Sequence, residues 1–347
     1  MNRPAIAVTG LGMITPVGHT TDTTWDGVLA GVSPARTVPE LRGCAVDFAC
    51  TVSGIDLDDA VGGRSAFRMG RYVKFAVLAA REAVADAGLD PAHWDGARVA
   101  VVVGTSSGGS AGLTEQAVAL ERRGPGATSP SGILLTIPNM PAAEIAIAMK
   151  ATGPSLAPCT ACSSGVTALS VARDMLTLGQ CDIAIAGATE SIVFPVAMTG
   201  FARSGAAAPR DGDPARLCRP FAADRAGIVM GEGAAIMVLE RAEEARARGA
   251  SPRALIGGPG PPPTPTTPPA RTRPGRSHGR PSTPRCATRA GEPRTSTTST
   301  RTAPRPRRAT PPKPPSSAGP TRTGRPSPPP RGSSATAWGR PAPSRRA

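Results

Sequence analysis

Near residue 259 the chain loses the side chains from which a protein core is built. From Pro259 to Ala347 there is no Ile, Leu, Val, Met, Phe or Tyr, and 24 of the chain's 40 prolines lie there. Ordering one residue costs about 1–2 kcal/mol of backbone entropy, which only extensive apolar burial offsets. The segment 259–347 is therefore expected to be disordered, and any fold must come from residues 1–258. The charge divides at the same place. Residues 1–258 carry 22 Lys+Arg against 24 Asp+Glu, whereas 259–347 carry 18 against the single Glu292. The first segment is net −2 and the second net +17, so the chain's formal charge of +15 belongs to the tail. Such a tail can hold nucleic acid non-specifically through its cations. Its one aromatic, Trp338, offers no platform for stacked bases, so no specific nucleic-acid partner is expected.

The first 258 residues suffice for one large domain or two small ones. Their patterning alternates. Ala5–Gly10 reads as a buried strand, and Thr20–Ala30 as a helix with Asp22 as its cap. Arg71–Ala87 carries a helical stripe (Val73, Ala76, Val77, Ala80, Val84) and stops at Gly88. Val99–Val103 is a continuous apolar run, as in a strand covered on both faces, and it enters the loop Gly104–Gly109. A short helix through Ile145–Met149, a strand over Ser155–Pro158, a helix over Gly165–Leu178 and a buried strand over Asp182–Gly187 follow. Ile228–Met230 and Ala234–Leu239 flank Gly231-Glu232-Gly233, and Ala242–Arg248 is a helix closed by Gly249. Strands alternating with helices predict an α/β layered fold. No apolar run approaches the roughly 18 residues of a membrane helix, and no signal peptide is evident, so the cytoplasm is the expected compartment. The seven cysteines lack metal-ligand spacing. Cys159 and Cys162 form a C-x-x-C without a second pair or a histidine partner, so neither metal nor cofactor is expected.

Cys162 is the candidate nucleophile. It sits where the expected strand gives way to the expected helix, in Cys159-Thr160-Ala161-Cys162-Ser163-Ser164-Gly165. Unpaired N–H groups and the dipole at a helix N-terminus favour a thiolate, and the same groups can hold an oxyanion. Small neighbours leave room for a thioester carbonyl, the setting for covalent acyl transfer through cysteine. On these residues alone, a buried structural cysteine stands as the other reading.

The surrounding motifs resemble those of the elongating β-ketoacyl-acyl-carrier-protein synthases, condensing enzymes of the thiolase superfamily. Gly153-Pro154-Ser155, Thr160–Gly165 and Gly187-Ala188-Thr189-Glu190 carry the likeness. Val8–Gly18, Asn139-Met140, Arg219-Pro220-Phe221, Asp224–Gly227 and Gly231–Ala234 extend it over about residues 4–258. The resemblance implies the N-terminal half of a thiolase-like fold with α-β-α-β-α layers. It implies a homodimer, or a heterodimer with a related ketosynthase. It also implies that Cys162 takes an acyl chain from acyl-carrier protein. Malonyl-acyl-carrier protein is then decarboxylated, and its carbanion attacks the thioester. Ser107, in the Gly104–Gly109 loop, matches a position of the family's acyl-pocket loop where a gating side chain often sits. Phe201 matches another pocket residue but suits a core equally. Glu190 and Glu232 match positions read as structural.

The family also needs two histidines and a lysine from its second half. This chain has His19 and His93, both expected on the surface, and His278 in the tail; none stands in a matching motif. The tail offers a reason. Each codon's third base can be regrouped with the first two of the next, within codon degeneracy. At that single offset Pro259–Ala270 can read G-A-T-A-D-A-H-H-P-T-G, and the stretch from Ser299 can read N-A-H-G-T. Ser327–Ala347 can read T-A-P-K-G-V-L-G-H-S-L-G-A-A-G-A-V-E-A. All three resemble second-half motifs in the right order. The histidine codons would straddle Arg301/Thr302 and Ala335/Thr336, and the lysine codon Pro330/Arg331. The expectation is a frameshift near Gly257–Pro259, with 1–258 the ketosynthase N-terminal domain and 259–347 its out-of-frame continuation. Two functions follow: a condensing enzyme, or an inactive remnant of one.

Overall fold

The computed structural model describes residues 4–62 and 66–257. The tail from 259, expected to be disordered, lies outside the described residues. In chain order the strands are β1 (Ile6–Ile14), β2 (Arg36–Thr37), β3 (Phe48–Ala49), β4 (Val99–Gly104), β5 (Ser155–Leu156), β6 (Ile183–Ser191), β7 (Glu232–Arg241) and β8 (Ala254–Ile256). The α-helices are α1 (Thr21–Ala30), α2 (Leu57–Val61), α3 (Arg71–Asp86), α4 (Ser110–Arg123), α5 (Met140–Ala148), α6 (Ser164–Thr177), α7 (Pro195–Arg203) and α8 (Ala242–Ala247).

Six strands form one mixed sheet in the order β5-β4-β6-β7-β1-β8. β4 runs parallel to β5 and β6, while β7 is antiparallel to β6 and β1, and β8 is antiparallel to β1. Side chains alternate across β4. Val99, Val101 and Val103 enter one core cluster with α3 and α5, and Ala100 and Val102 enter another with α6. The continuous apolar run thus reflects burial on both faces, and the layers are helix, sheet, helix. A third cluster gathers Val38, Leu41, Phe48 and Met198 around the small β2–β3 ladder and α7.

Glycine sets how closely α3 approaches the sheet. A Cβ on Gly10 would lie 2.0 Å from the Ala83 carbonyl oxygen, and one on Gly12 1.9 Å from that of Ala79. Small residues on both partners let helix backbone pack directly on strand backbone. Phe75 is fully buried in that layer; complete burial of such a side chain contributes about 1.5–3 kcal/mol.

Several local expectations change. The cap of α1 is Thr20: its side chain accepts from the Thr23 amide, and Thr23 reciprocates toward the Thr20 amide. Asp22 instead occupies the first turn, where a negative charge still suits the helix N-terminus. The strand expected over Ser155–Pro158 is two residues long, because the prolines at 154 and 158 remove ladder donors. The helix expected through Ile145–Met149 begins at Met140, with Pro141 in its first turn. β1 and β6 continue past their expected glycine ends into long ladders with β7.

Candidate active site

The site is assembled where β4 and β6 end and α6 begins. Cys162 precedes Ser163, which stands at the N-cap position of α6 without a side-chain capping bond. The turn ahead of the helix is sharp: Ala161 has φ +51°, a left-handed conformation that costs a residue with a Cβ. The Ser163 amide donates to the Thr160 carbonyl at 3.1 Å and the Ser164 amide to the Ala161 carbonyl at 3.1 Å. Two amides at the helix start are therefore spent on the turn itself. Those of Gly165 and Val166 follow in the first turn, where an α-helix leaves N–H groups without intrahelical acceptors.

The turn is pressed against β4. A Cβ on Gly104 would lie 2.4 Å from the Ser164 carbonyl oxygen, so only glycine admits this contact. Thr160 and Thr167 hydroxyls meet at 2.7 Å and tie the turn to the second turn of α6. At the other end of α6, Arg241 Nη1 donates to the Leu176 carbonyl at 2.9 Å and the Cys181 carbonyl at 2.8 Å. A cation at the last carbonyls complements the helix dipole and fixes that end to β7.

Cys162 is exposed and lines a cleft of about 660 Å3. Val17, Cys50, Ile192, Phe201 and Met230 are among its other walls, giving it an apolar lining. Phe201 also packs beside the third core cluster, so one ring serves wall and core. Ser107 is placed differently. Its Oγ donates to Glu190 Oε1 at 2.6 Å, and the Ser106 and Ser107 amides donate to Glu190 Oε2, both at 3.0 Å. The cleft is walled by its neighbours Thr105 and Ser106 and not by Ser107 itself. The structure thus brings Cys162 and Phe201 to one cleft and ties Ser107 into the loop behind it.

Both glutamates are fully engaged. Glu190 holds the loop after β4, and Glu232 accepts from the Val52 amide at 2.9 Å, Ser191 Oγ at 3.0 Å and Arg71 Nε at 2.9 Å. A buried carboxylate without such donors would be costly. Neither described histidine, His19 or His93, is among the residues lining the cleft. His19 is exposed, with Nε2 2.9 Å from the Ser53 carbonyl, and exposed His93 lies 3.0 Å from Asp90. His278 is outside the described residues. Among the described residues no group of His, Cys, Asp and Glu is arranged to hold a metal ion, and no helix is long and apolar enough to cross a membrane. Sequence reasoning missed Cys50, and it singled out neither Ser164 within the small-residue run around Cys162 nor Thr105 within the Gly104–Gly109 loop, because those runs do not rank their members.

An exposed cysteine on a strained turn between a mixed sheet and its covering helix sets the frame in which the chain's relatives are read. Residues 3–245 match the family model "Beta-ketoacyl synthase, N-terminal domain", and the chain belongs to that family. The chain is 34% identical over 252 residues to 3-oxoacyl-[acyl-carrier-protein] synthase 2 of Vibrio cholerae serotype O1, covering 72% of this chain and 61% of that protein. The Staphylococcus aureus enzyme of the same name is 35% identical over 248 residues, covering 71% and 60%. The chain therefore spans about 61% of the length of these relatives. Among solved structures, the ishigamide ketosynthase/chain length factor superposes with a TM-score of 0.68 at 31% identity, covering 74% of this chain and 62% of that one. A type II polyketide acyl-carrier protein complexed with its ketosynthase, bound to the hexaketide, gives 0.66 at 26% identity, covering 74% and 63%. These neighbours support the thiolase-like reading of the α/β fold.

Proposed function

We propose that this chain carries the acyl-accepting half of a β-ketoacyl-acyl-carrier-protein synthase, with Cys162 as nucleophile. The observation that carries the reading is an exposed cysteine on a strained turn, opening onto an apolar cleft beside the first amides of α6. The Cys162 sulfur attacks the carbonyl of an acyl chain delivered on acyl-carrier protein. The carrier's thiol leaves, and a new thioester forms on Cys162. Phe201 and the other apolar walls accommodate the chain's methylenes, and we assign Ser107 to shaping the pocket through the loop that it anchors. The full family reaction then decarboxylates malonyl-acyl-carrier protein and joins the carbanion to the acyl group, in fatty acid or polyketide synthesis. Acyl-carrier protein is the proposed partner, the cytoplasm the proposed compartment, and a ketosynthase dimer the proposed assembly. We assign 1–258 to the ketosynthase N-terminal domain and 259–347 to an out-of-frame continuation.

A second reading is favoured by the cleft itself: among the described residues no histidine lines it. On that reading the chain performs acyl transfer but not condensation. Incubation with acyl- and malonyl-acyl-carrier protein separates the two. Formation of 3-oxoacyl-acyl-carrier protein, abolished in Cys162→Ala, supports the condensing enzyme. Acyl-Cys162 without that product supports the half-reaction. Absence of both would sink the assignment.

A further inference from the structure

Beside its backbone bonds and the Thr160–Thr167 pair, the Cys162 turn is tied by one buried hydroxyl, that of Ser164. Ser164 is 3% exposed, and its Oγ makes three contacts. It accepts from the Thr160 amide at 3.0 Å, it donates to the Ala161 carbonyl at 2.6 Å, and it stands 3.2 Å from the Thr105 carbonyl. A hydroxyl has one proton, and the shortest contact assigns it to Ala161. The side chain of the first residue of α6 thus reaches back to both residues that precede Cys162. One of these is Ala161, at φ +51°. A residue with a Cβ persists there only when its surroundings over-determine it. The Thr105 contact adds a link to the strand side, just past the end of β4.

We infer that Ser164 is the positioning residue of the Cys162 turn: its buried hydroxyl holds Ala161 left-handed and so aims the thiol into the apolar cleft. The inference rests on the reading of Cys162 as the acyl acceptor and adds a residue that acts through it. Ser164 does not itself line up as acid or base, since its proton and one lone pair are already committed to the turn. Removing the hydroxyl leaves the Thr160 amide and the Ala161 carbonyl without that partner and lets Ala161 leave the left-handed region. The thiol remains but loses its approach to a bound thioester. Attack on a bound carbonyl needs alignment, whereas reaction with a small diffusing alkylator does not.

The test compares two chemistries at one sulfur in the full chain. Acylation of Cys162 by an octanoyl thioester is followed by intact mass, and alkylation by iodoacetamide is followed on the Cys162 peptide. S164A is expected to acylate about tenfold or more slowly while its alkylation stays within about twofold of wild type. S164T, which keeps a γ-hydroxyl, is expected to acylate within about threefold of wild type. A161G/S164A is expected to acylate faster than S164A, because glycine takes φ > 0 without a Cβ penalty. Wild-type acylation in S164A would overturn the inference and leave the Cys162 reading intact. So would a slow S164T that melts like wild type, which covers the case of S164A failing to fold. A wild-type chain that accepts no acyl group would overturn both.

Discussion

Two cysteines bracket α6, and their environments are opposite. Cys162, ahead of the helix, is exposed on a left-handed turn and opens onto a cleft. Cys181, just beyond the helix, is fully buried in the cluster formed by Ala172, Leu176, Ala184 and Leu239. Burial pushes the Cys181 thiol up to about 11, against a partial pull down from Arg241 and Arg98, so it stays protonated at neutral pH. One helix therefore separates a cysteine that serves packing from one that packing does not explain. The difference lies in what each end of α6 is asked to do. At the C-terminal end Arg241 satisfies the last carbonyls and locks helix to sheet. At the N-terminal end the backbone is bent against its preference at Ala161, and both backbone and side-chain hydrogen bonds close that turn.

Serine substitution at each cysteine sharpens the contrast most. Cys181→Ser places a hydroxyl in an apolar cluster and is expected to cost about 1–3 kcal/mol in urea unfolding. Cys162→Ser changes an exposed side chain and is expected to stay within about 0.5 kcal/mol of wild type. Equal costs at the two sites would break the comparison.

A smaller effect comes from pH, through the anchor beside Cys181. Asp182 is held down at about 2, chiefly by the hydrogen bond from Arg98 and then by that from Arg241. A carboxylate with a depressed value stabilises the fold fully above its unfolded value, near 3.8. That contribution fades as pH falls toward about 2. The carboxylate is 42% exposed, so solvent screening keeps the contribution small. Urea midpoints taken between pH 5 and 2 should fall more steeply for wild type than for Asp182→Asn. Parallel slopes would remove Asp182 from the account of how the C-terminal end of α6 is anchored.

Much of the scaffold was legible because its periodicities are strong. The Val99–Val103 run and the stripe from Val73 to Val84 mark burial at positions that only a covered strand and a sheet-facing helix satisfy. The glycines of β1 are equally explicit once their contacts with Ala79 and Ala83 are known, since any Cβ there would meet helix backbone. The α4 helix was hidden behind a Gly- and Ser-rich start that reads as loop, and Thr20 was passed over for its charged neighbour Asp22. At the site, Cys162 could be singled out from its small-residue neighbourhood. Ser164 could not, because its importance comes from a hydroxyl turning back onto Thr160 and Ala161. Ser107 shows the converse: a position that matches a pocket residue by sequence spends its side chain on Glu190. Such assignments depend on where a side chain turns, which spacing along the chain does not encode.

The central claim is that Cys162, and no other cysteine, receives an acyl group. The direct measurement is a peptide map of the full chain after exposure to octanoyl-acyl-carrier protein at neutral pH. The account predicts an octanoyl mass increment on the peptide containing Cys162, reversed by hydroxylamine, and absent in Cys162→Ser after the same treatment. An increment on Cys50, Cys159 or Cys218 instead, or none on Cys162, would contradict it.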